Sequence, residues 1–206
     1  MTGLFITFEG GDGSGKTTQV SLLASWLEGQ GHNVLLTREP GGTDVGLELR
    51  NIVLHRKGAL APRAEALLYA ADRAHHIYSV VRPALDAGST VVQDRYLDSS
   101  VAYQGAGRVL QEKEVKDLSL WATEGLLPDL TIVLDAPATY LRARISGDDR
   151  VFDRLEAEGD DFHERVREAY HRFAEVEPHR IHIIDATLSV EDIHQQVRQL
   201  VSAKTG

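Results

Sequence analysis

Apolar residues along this chain follow two alternating patterns. Short runs rich in branched and aromatic residues recur at 4–8, 33–37, 90–93, 131–134 and 181–184. Most of their central positions are apolar on both parities, as strands buried on both faces require. Between them, residues 16–28, 45–54, 63–87, 112–123, 138–145, 162–176 and 190–201 follow the helical period. In the last of these, Val190, Ile193, Val197, Leu200 and Val201 make one apolar stripe. Pro83 is expected to bend or end the long third helix, and Gly88 to stop it. Strands separated by helices imply βαβ crossovers, hence a parallel sheet with helices on both faces. No internal repeat, low-complexity tract or Pro/Ser-rich linker interrupts the pattern, so one domain over residues 1–206 is expected. Only residues 146–159 fit neither period. They hold Asp148, Asp149, Arg150, Asp153, Arg154, Glu156 and Glu158, the composition of a solvated loop.

Composition narrows the function classes. A chain of 206 residues can bury roughly 70% of its unfolded surface and needs no staple. It has no Cys, which excludes disulfides, thiolate nucleophiles and cysteine-ligated zinc or iron–sulfur centres. Acidic residues outnumber basic ones by 31 to 22, against the basic footprint of a dedicated nucleic-acid binder. Small phosphorylated ligands remain open, since they need only a local cluster of Arg and Lys. No apolar run approaches the roughly 20 residues of a membrane helix, and the N-terminus lacks the marks of a signal peptide. A reducing, cytoplasmic location is expected. The nine His are scattered; His75 and His76 are adjacent on a helix and point apart, so all nine read as structural or surface residues.

Candidate chemistry begins with Gly10-Gly11-Asp12-Gly13-Ser14-Gly15-Lys16-Thr17, which fits G-x-x-x-x-G-K-[ST] at every position. A predicted strand runs into it and a predicted helix leaves it, the context the motif needs. Its glycines let successive N–H groups turn toward phosphate oxygens, and the helix N-terminus adds its own. Lys16 reaches the β- and γ-phosphates, and the Thr17 hydroxyl can ligate Mg²⁺. Binding of a nucleoside triphosphate follows. Phosphoryl transfer to a small molecule and hydrolysis by a switch or motor share this loop. The chain carries no Asn-Lys-x-Asp segment of the kind that GTPases use to read a base.

The discriminator is an acceptor-binding constellation. Residues 90–96 form a buried-looking strand ending in Asp94-Arg95-Tyr96. At a strand's carboxyl end, Asp94 can hold Mg²⁺ through water, and Arg95 offers a fork for an acceptor phosphate. A strand terminus with a surface ion pair is the plainer alternative. The following Asp98, Ser99, Ser100, Tyr103 and Gln104 suit hydrogen bonds to a base edge; equally, Asp98 or Ser99 could be a helix N-cap. Thr37-Arg38-Glu39-Pro40-Gly41-Gly42-Thr43 follows the second strand and by itself reads as a turn. Tyr69 and Arg73 lie four apart on one helix face, able to stack a base and bond its carbonyl, or else to be core and ion-paired.

Taken together, these segments resemble the bacterial thymidylate kinases over nearly the whole chain. The likeness rests on Phe8-Glu9-Gly10 with the phosphate loop, residues 37–43, Ala70-Ala71-Asp72-Arg73, Asp94-Arg95-Tyr96 with Ser99-Ser100, residues 102–105, and Asp153-Arg154-Leu155-Glu156. The resemblance implies a P-loop three-layer α/β sandwich with a five-stranded parallel sheet in the order 2-3-1-4-5. It implies transfer of the γ-phosphoryl of ATP to dTMP with Mg²⁺, by a homodimer. Gly10, Gly11, Gly13, Ser14, Gly15, Lys16, Thr17 and Thr18 would hold the ATP phosphates, with Asp12 near the acceptor sugar and phosphates. Arg95 and Arg50 would meet the dTMP phosphate, Glu39 organise the transfer site, and Tyr103 lie on the deoxyribose. Tyr69, where the family more often has Phe, would stack on thymine; Arg73 would address a thymine carbonyl, Ser100 and Gln104 its other polar atoms, and Ser99 would belong to the substrate site. Asp94 and Thr17 would serve the metal. Residues 146–159 correspond to a mobile lid, with Arg150 first and Arg154 second as the catalytic arginine. A deoxynucleoside kinase is the runner-up, and an NTP-hydrolysing regulatory protein the reading outside this class.

Overall fold

The computed structural model describes residues 3–107, 110–145 and 153–205. Five strands, β1 (Phe5–Glu9), β2 (Val34–Arg38), β3 (Thr90–Asp94), β4 (Leu130–Asp135) and β5 (Ile181–Asp185), form one parallel sheet. Their order is β2-β3-β1-β4-β5, as the resemblance implied. The central three strands are buried throughout apart from the Asp94 and Asp135 termini. The expectation of burial on both faces does not extend to β2, an edge strand whose Leu36 is 47% exposed.

The two faces of the sheet differ in chemistry. Ile6 and Phe8 of β1, Val92 of β3 and Leu130, Ile132 and Leu134 of β4 point to one side. There they meet Val20, Leu23 and Leu27 of α1 (Lys16–Gly29) and Ile193, Val197 and Val201 of α9 (Val190–Thr205). The alternate positions Phe5, Val91 and Val133 face the other side, among the remaining helices. That second face also carries Thr7, Glu9, Gln93 and Thr131, all fully buried, with the Thr7 and Thr131 hydroxyls 2.9 Å apart. A period-two strand cannot hide polar groups on one face without giving them partners there. This polar face is what supports the site.

The long third helix divides. α3 (Pro62–His76) passes through a π-helical stretch, Ile77–Val81, into α4 (Arg82–Asp86). Pro83 sits at the start of α4, so the wider π turn absorbs its missing donor and the path continues to Gly88, at φ +82°. The second helix likewise splits into α2 (Asp44–Arg50) and a π turn, Asn51–His55. Thr43 caps α2 by accepting the Gly46 N–H at 2.9 Å.

One element has no counterpart in the hydrophobic pattern. α5 (Leu97–Ser100) runs into a π-helical stretch, Val101–Ala106, directly after β3. It is buried on every side except at Ala106, so it shows no apolar stripe. Its N-cap is Tyr96, with no side-chain cap, rather than Asp98 or Ser99. The chain continues through α6 (Glu112–Ala122), α7 (Ala138–Ile145) and α8 (Asp160–Val176). The described end of the 146–159 stretch is no solvated loop: Leu155 is buried in the core beside Phe162 and Val166. Asp153 Oδ1 accepts the Leu155 and Glu156 N–H groups at 2.8 and 2.9 Å, folding the acidic run back on itself.

Candidate active site

The carboxyl ends of β1, β2 and β3 open onto one cleft of about 480 Å³. Ligands of open α/β sheets bind at such ends, where the loops converge.

On one side the phosphate loop joins β1 to α1. Gly10 and Gly13 adopt φ of +121° and +82°, and a Cβ at Gly10 would stand 2.3 Å from the Leu134 carbonyl oxygen. Only glycine fits there. Lys16 Nζ donates to the Gly10 and Gly11 carbonyls at 3.1 and 2.8 Å and lies 3.9 Å from Asp12 Oδ1. Burial, with Arg95 as a like charge, pushes the Lys16 pKa down. The ammonium is therefore a desolvated cation held by backbone, ready to exchange carbonyls for phosphate oxygens.

Thr17 and Asp94 meet at the loop's end, where the hydroxyl donates to Asp94 Oδ2 at 3.2 Å. Asp94 Oδ1 is buried and has no hydrogen-bond partner. An under-satisfied carboxylate beside a hydroxyl is an all-oxygen donor pair, which fits a hard cation such as Mg²⁺. Among the described residues there is no cluster of three or more His, Cys, Asp or Glu that could hold a metal by itself. Substrate phosphates would have to complete the coordination.

Arg95 occupies the centre. It has φ +64°, a left-handed conformation that costs a non-glycine residue free energy. Three bonds hold the backbone there. Its N–H donates to Phe8 O at 2.8 Å, its carbonyl accepts from Gln93 Nε2 at 2.9 Å, and the next N–H, of Tyr96, donates to Glu9 Oε1 at 2.8 Å. The guanidinium then donates to Asp12 Oδ1 at 2.7 Å and to Ser99 Oγ at 3.1 Å, and sits 5.0 Å over the Tyr103 ring. Burial pushes the Asp12 carboxyl up, but Arg95 and Lys16 outweigh it and hold the group well below the carboxylate range. Below lies Glu9, fully buried, whose Oε2 accepts from Ser99 Oγ and from Tyr170 Oη at 3.0 Å. Burial raises the Glu9 pKa, and the negative charge of Asp98 adds to it.

The far end is a buried polar clamp. Glu39 accepts from Arg73 Nε at 2.8 Å and is bonded to His76 Nδ1 at 3.0 Å, and His76 Nε2 is 2.6 Å from the Thr37 hydroxyl. Arg73 also donates to Ser119 Oγ, Tyr96 O and Ser100 Oγ, so its guanidinium is fixed in place. Asp72 Oδ1 accepts the Gly41 N–H at 3.1 Å, and Arg50 Nη1 donates to Pro40 O at 2.9 Å. Tyr69 and Gln104 complete this wall.

The structure thus brings Asp12, Gly13, Gly15, Lys16, Thr17, Thr18, Glu39, Arg50, Tyr69, Arg73, Asp94, Arg95, Ser99, Ser100, Tyr103 and Gln104 to one cleft. Ser14 is buried beneath the loop, and Gly10 and Gly11 form its rear. Arg154 is not on the cleft wall. It is ion-paired with Glu65 at 2.5 Å and donates to Val53 O at 3.0 Å, and so is anchored rather than free to close over a ligand. Arg150 lies outside the described residues. Sequence reasoning missed Arg38, Arg144, Asp153 and Glu156 as wall residues. Arg38, Asp153 and Glu156 stood inside recognised segments, whereas nothing in the pattern marked Arg144. It also missed Glu9 and Tyr170, whose roles depend on burial beneath the site.

Known proteins resemble this chain over nearly its whole length. A family model described as thymidylate kinase matches residues 8–197. A thymidylate kinase of Clavibacter sepedonicus is 63% identical over 198 residues, covering 96% of this chain and 94% of its own. One of Leifsonia xyli subsp. xyli is 64% identical over 196 residues, covering 95% and 93%. The crystal structure of thymidylate kinase from Ehrlichia chaffeensis superposes with a TM-score of 0.79 at 33% identity, covering 98% of this chain and 99% of that one.

Proposed function

Because the chain belongs to the thymidylate kinase family, we propose that its cleft transfers the γ-phosphoryl of ATP to dTMP, yielding ADP and dTDP. The observation that carries this reading is a single cleft joining a phosphate loop to Arg95 and to an end walled by Tyr69, Arg73 and Gln104. The loop and Lys16 bind the donor phosphates. Arg95 and Arg50 bind the acceptor phosphate, with Arg95 turned toward the loop by Asp12. An oxygen of the dTMP phosphate attacks the γ-phosphorus while the bond to the β–γ bridging oxygen breaks. The acceptor is ionised at neutral pH, so no side chain need remove a proton. Catalysis then rests on alignment and on cations around the transferring group. Thr17 and Asp94 would hold Mg²⁺, which supplies positive charge on the phosphate oxygens when bound.

Tyr69 stacks on the base, Arg73, Ser99, Ser100 and Gln104 serve its edge and the wall beneath, and Tyr103 covers the sugar. With Arg154 anchored to Glu65, Arg150 is the proposed mobile cation of a lid over residues 146–159. We further propose one domain over residues 1–206, a cytoplasmic setting in which ATP is supplied, and a homodimer through α2 and α3. Val45 and Leu47 on α2, Leu67 on α3 and Tyr78 on the π-helical stretch that continues it expose 46, 44, 57 and 80% of their surface. A single-chain mass in sedimentation velocity would remove the dimer. Among the described residues no helix is long and apolar enough to cross a membrane.

Isothermal titration with dTMP and with thymidine tests the acceptor reading. Arg95 and Arg50 predict that thymidine binds at least tenfold more weakly, the loss of one charge-assisted contact of about 1.5–3 kcal/mol. Equal affinities would favour a nucleoside kinase.

A further inference from the structure

Glu65 belongs to no segment assigned so far, yet it is one of the most buried charges in the molecule, at 1% exposure. It lies on α3 behind the base end of the cleft. Its Oε2 is 2.5 Å from Arg154 Nη2, an ion pair that supplies the countercharge a buried carboxylate requires. Its Oε1 accepts from Gln104 Nε2 at 3.0 Å.

This bond settles an ambiguity inherent in glutamine. A side-chain amide can present either its NH₂ or its oxygen, and two opposite orientations have nearly the same shape. An ionised carboxylate accepts only. Gln104 must therefore turn its NH₂ toward Glu65, and its Oε1 becomes the group available on the cleft wall. That oxygen accepts no hydrogen bond from the described residues, although Gln104 is only 2% exposed. The base end of the cleft thus offers an acceptor at this point and not a donor.

We propose that Glu65 is a positioning and specificity-determining residue: by fixing the Gln104 amide, it selects a pyrimidine carrying a ring N–H over one carrying a bare ring nitrogen. The inference rests on the dTMP reading above and deepens it. Thymine and uracil meet an acceptor with their imide N–H. A cytosine-type ring would set its nitrogen lone pair against the Gln104 oxygen and leave both unsatisfied, and sites built around such bonds reject the mismatched partner strongly.

The Glu65→Gln variant tests this directly. Arg154 can only donate, so it would draw the substituted side chain's amide oxygen to itself and leave that amide's NH₂ facing Gln104. The Gln104 amide would then reverse and present NH₂ to the base. The probes are dTMP and 5-methyl-dCMP, which differ only at ring positions 3 and 4. Wild-type protein should favour dTMP in kcat/KM, and in Glu65→Gln that ratio should fall by roughly tenfold or more. A merely structural role would slow both acceptors alike; a ratio within twofold of wild type overturns the proposal. Should Glu65→Gln fail to fold, the wild-type protein still decides. N3-methyl-dTMP, which lacks the N–H, should bind at least tenfold more weakly than dTMP, and binding within threefold overturns the proposal. Wild-type protein that binds no dTMP at all would instead refute the parent reading.

Discussion

Arg95 shows how much a single residue depends on groups that never touch a ligand. Its left-handed backbone and its side chain are both held from beneath by Glu9, through the Tyr96 N–H and through Ser99. Glu9→Gln keeps the shape but puts an NH₂ in place of one acceptor, which the Tyr96 N–H cannot pair with and which would force Ser99 and Tyr170 to turn from donors into acceptors. We expect the variant to fold and kcat/KM for dTMP to fall by roughly 10- to 100-fold, the cost of one mispaired buried polar contact; steady-state kinetics beside a melting curve would check it. Undiminished kcat/KM would mean that Arg95 orients itself. Asp72 gives a pH signature at the same scale. Burial raises its carboxyl from 3.8 to about 6, with Glu39 adding repulsion, and its Oδ2 is buried without a partner. Below 3.8 the group is protonated in both folded and unfolded chains, and its contribution to stability is whole. As pH rises toward 6 the unfolded chain loses its proton first, so that contribution is lost, on the order of 2 kcal/mol by the upper end. Urea unfolding at about pH 4 and about pH 6.5 should show a smaller decline for Asp72→Asn than for the parent; equal declines would rule the assignment out. The phosphate-loop residues were legible because their chemistry demands contiguous types. Glu9, Glu65 and Tyr170 were not, since a buried polar residue gains its meaning from partners more than 35 positions away.

At the scale of elements, the loop between β2 and α2 matters most. Residues 37–43 look like an ordinary turn in sequence, but His76, Arg73 and Asp72 of α3 hold the loop from three directions. Gly42 fits because it lacks a side chain: a Cβ there would stand 2.5 Å from His76 Nε2 and 2.8 Å from Arg38 O. Gly42→Ala should therefore push Glu39 and Pro40 off the cleft wall. The expected result is destabilisation of about 1–3 kcal/mol by thermal unfolding, together with weaker dTMP binding by calorimetry. An unchanged affinity would show that the loop does not shape the acceptor site. The strands were readable as short runs apolar on both parities, since the central three are buried on both faces, and the amphipathic helices because each exposes one face. The helix after β3 escaped notice because it has no exposed face, and the second half of the 146–159 stretch because Leu155 and the Asp153 turn anchor to the core a run that composition assigns to solvent.

Across the whole molecule, the sheet divides the labour. One face is apolar and carries α1 and α9; the other holds the buried Thr7, Glu9, Gln93 and Thr131 under the reacting groups. The strand order places β1 and β3 side by side, so the phosphate loop and Arg95 leave adjacent carboxyl ends. Donor and acceptor sites therefore share one cleft, and turnover should require both. Product analysis of purified protein with ATP and Mg²⁺, with and without dTMP, puts that requirement to the test. ADP and dTDP should form in equal amounts when dTMP is present, with negligible ADP without it. ADP released at the same rate in the absence of dTMP, or no dTDP in its presence, would contradict the shared-cleft mechanism.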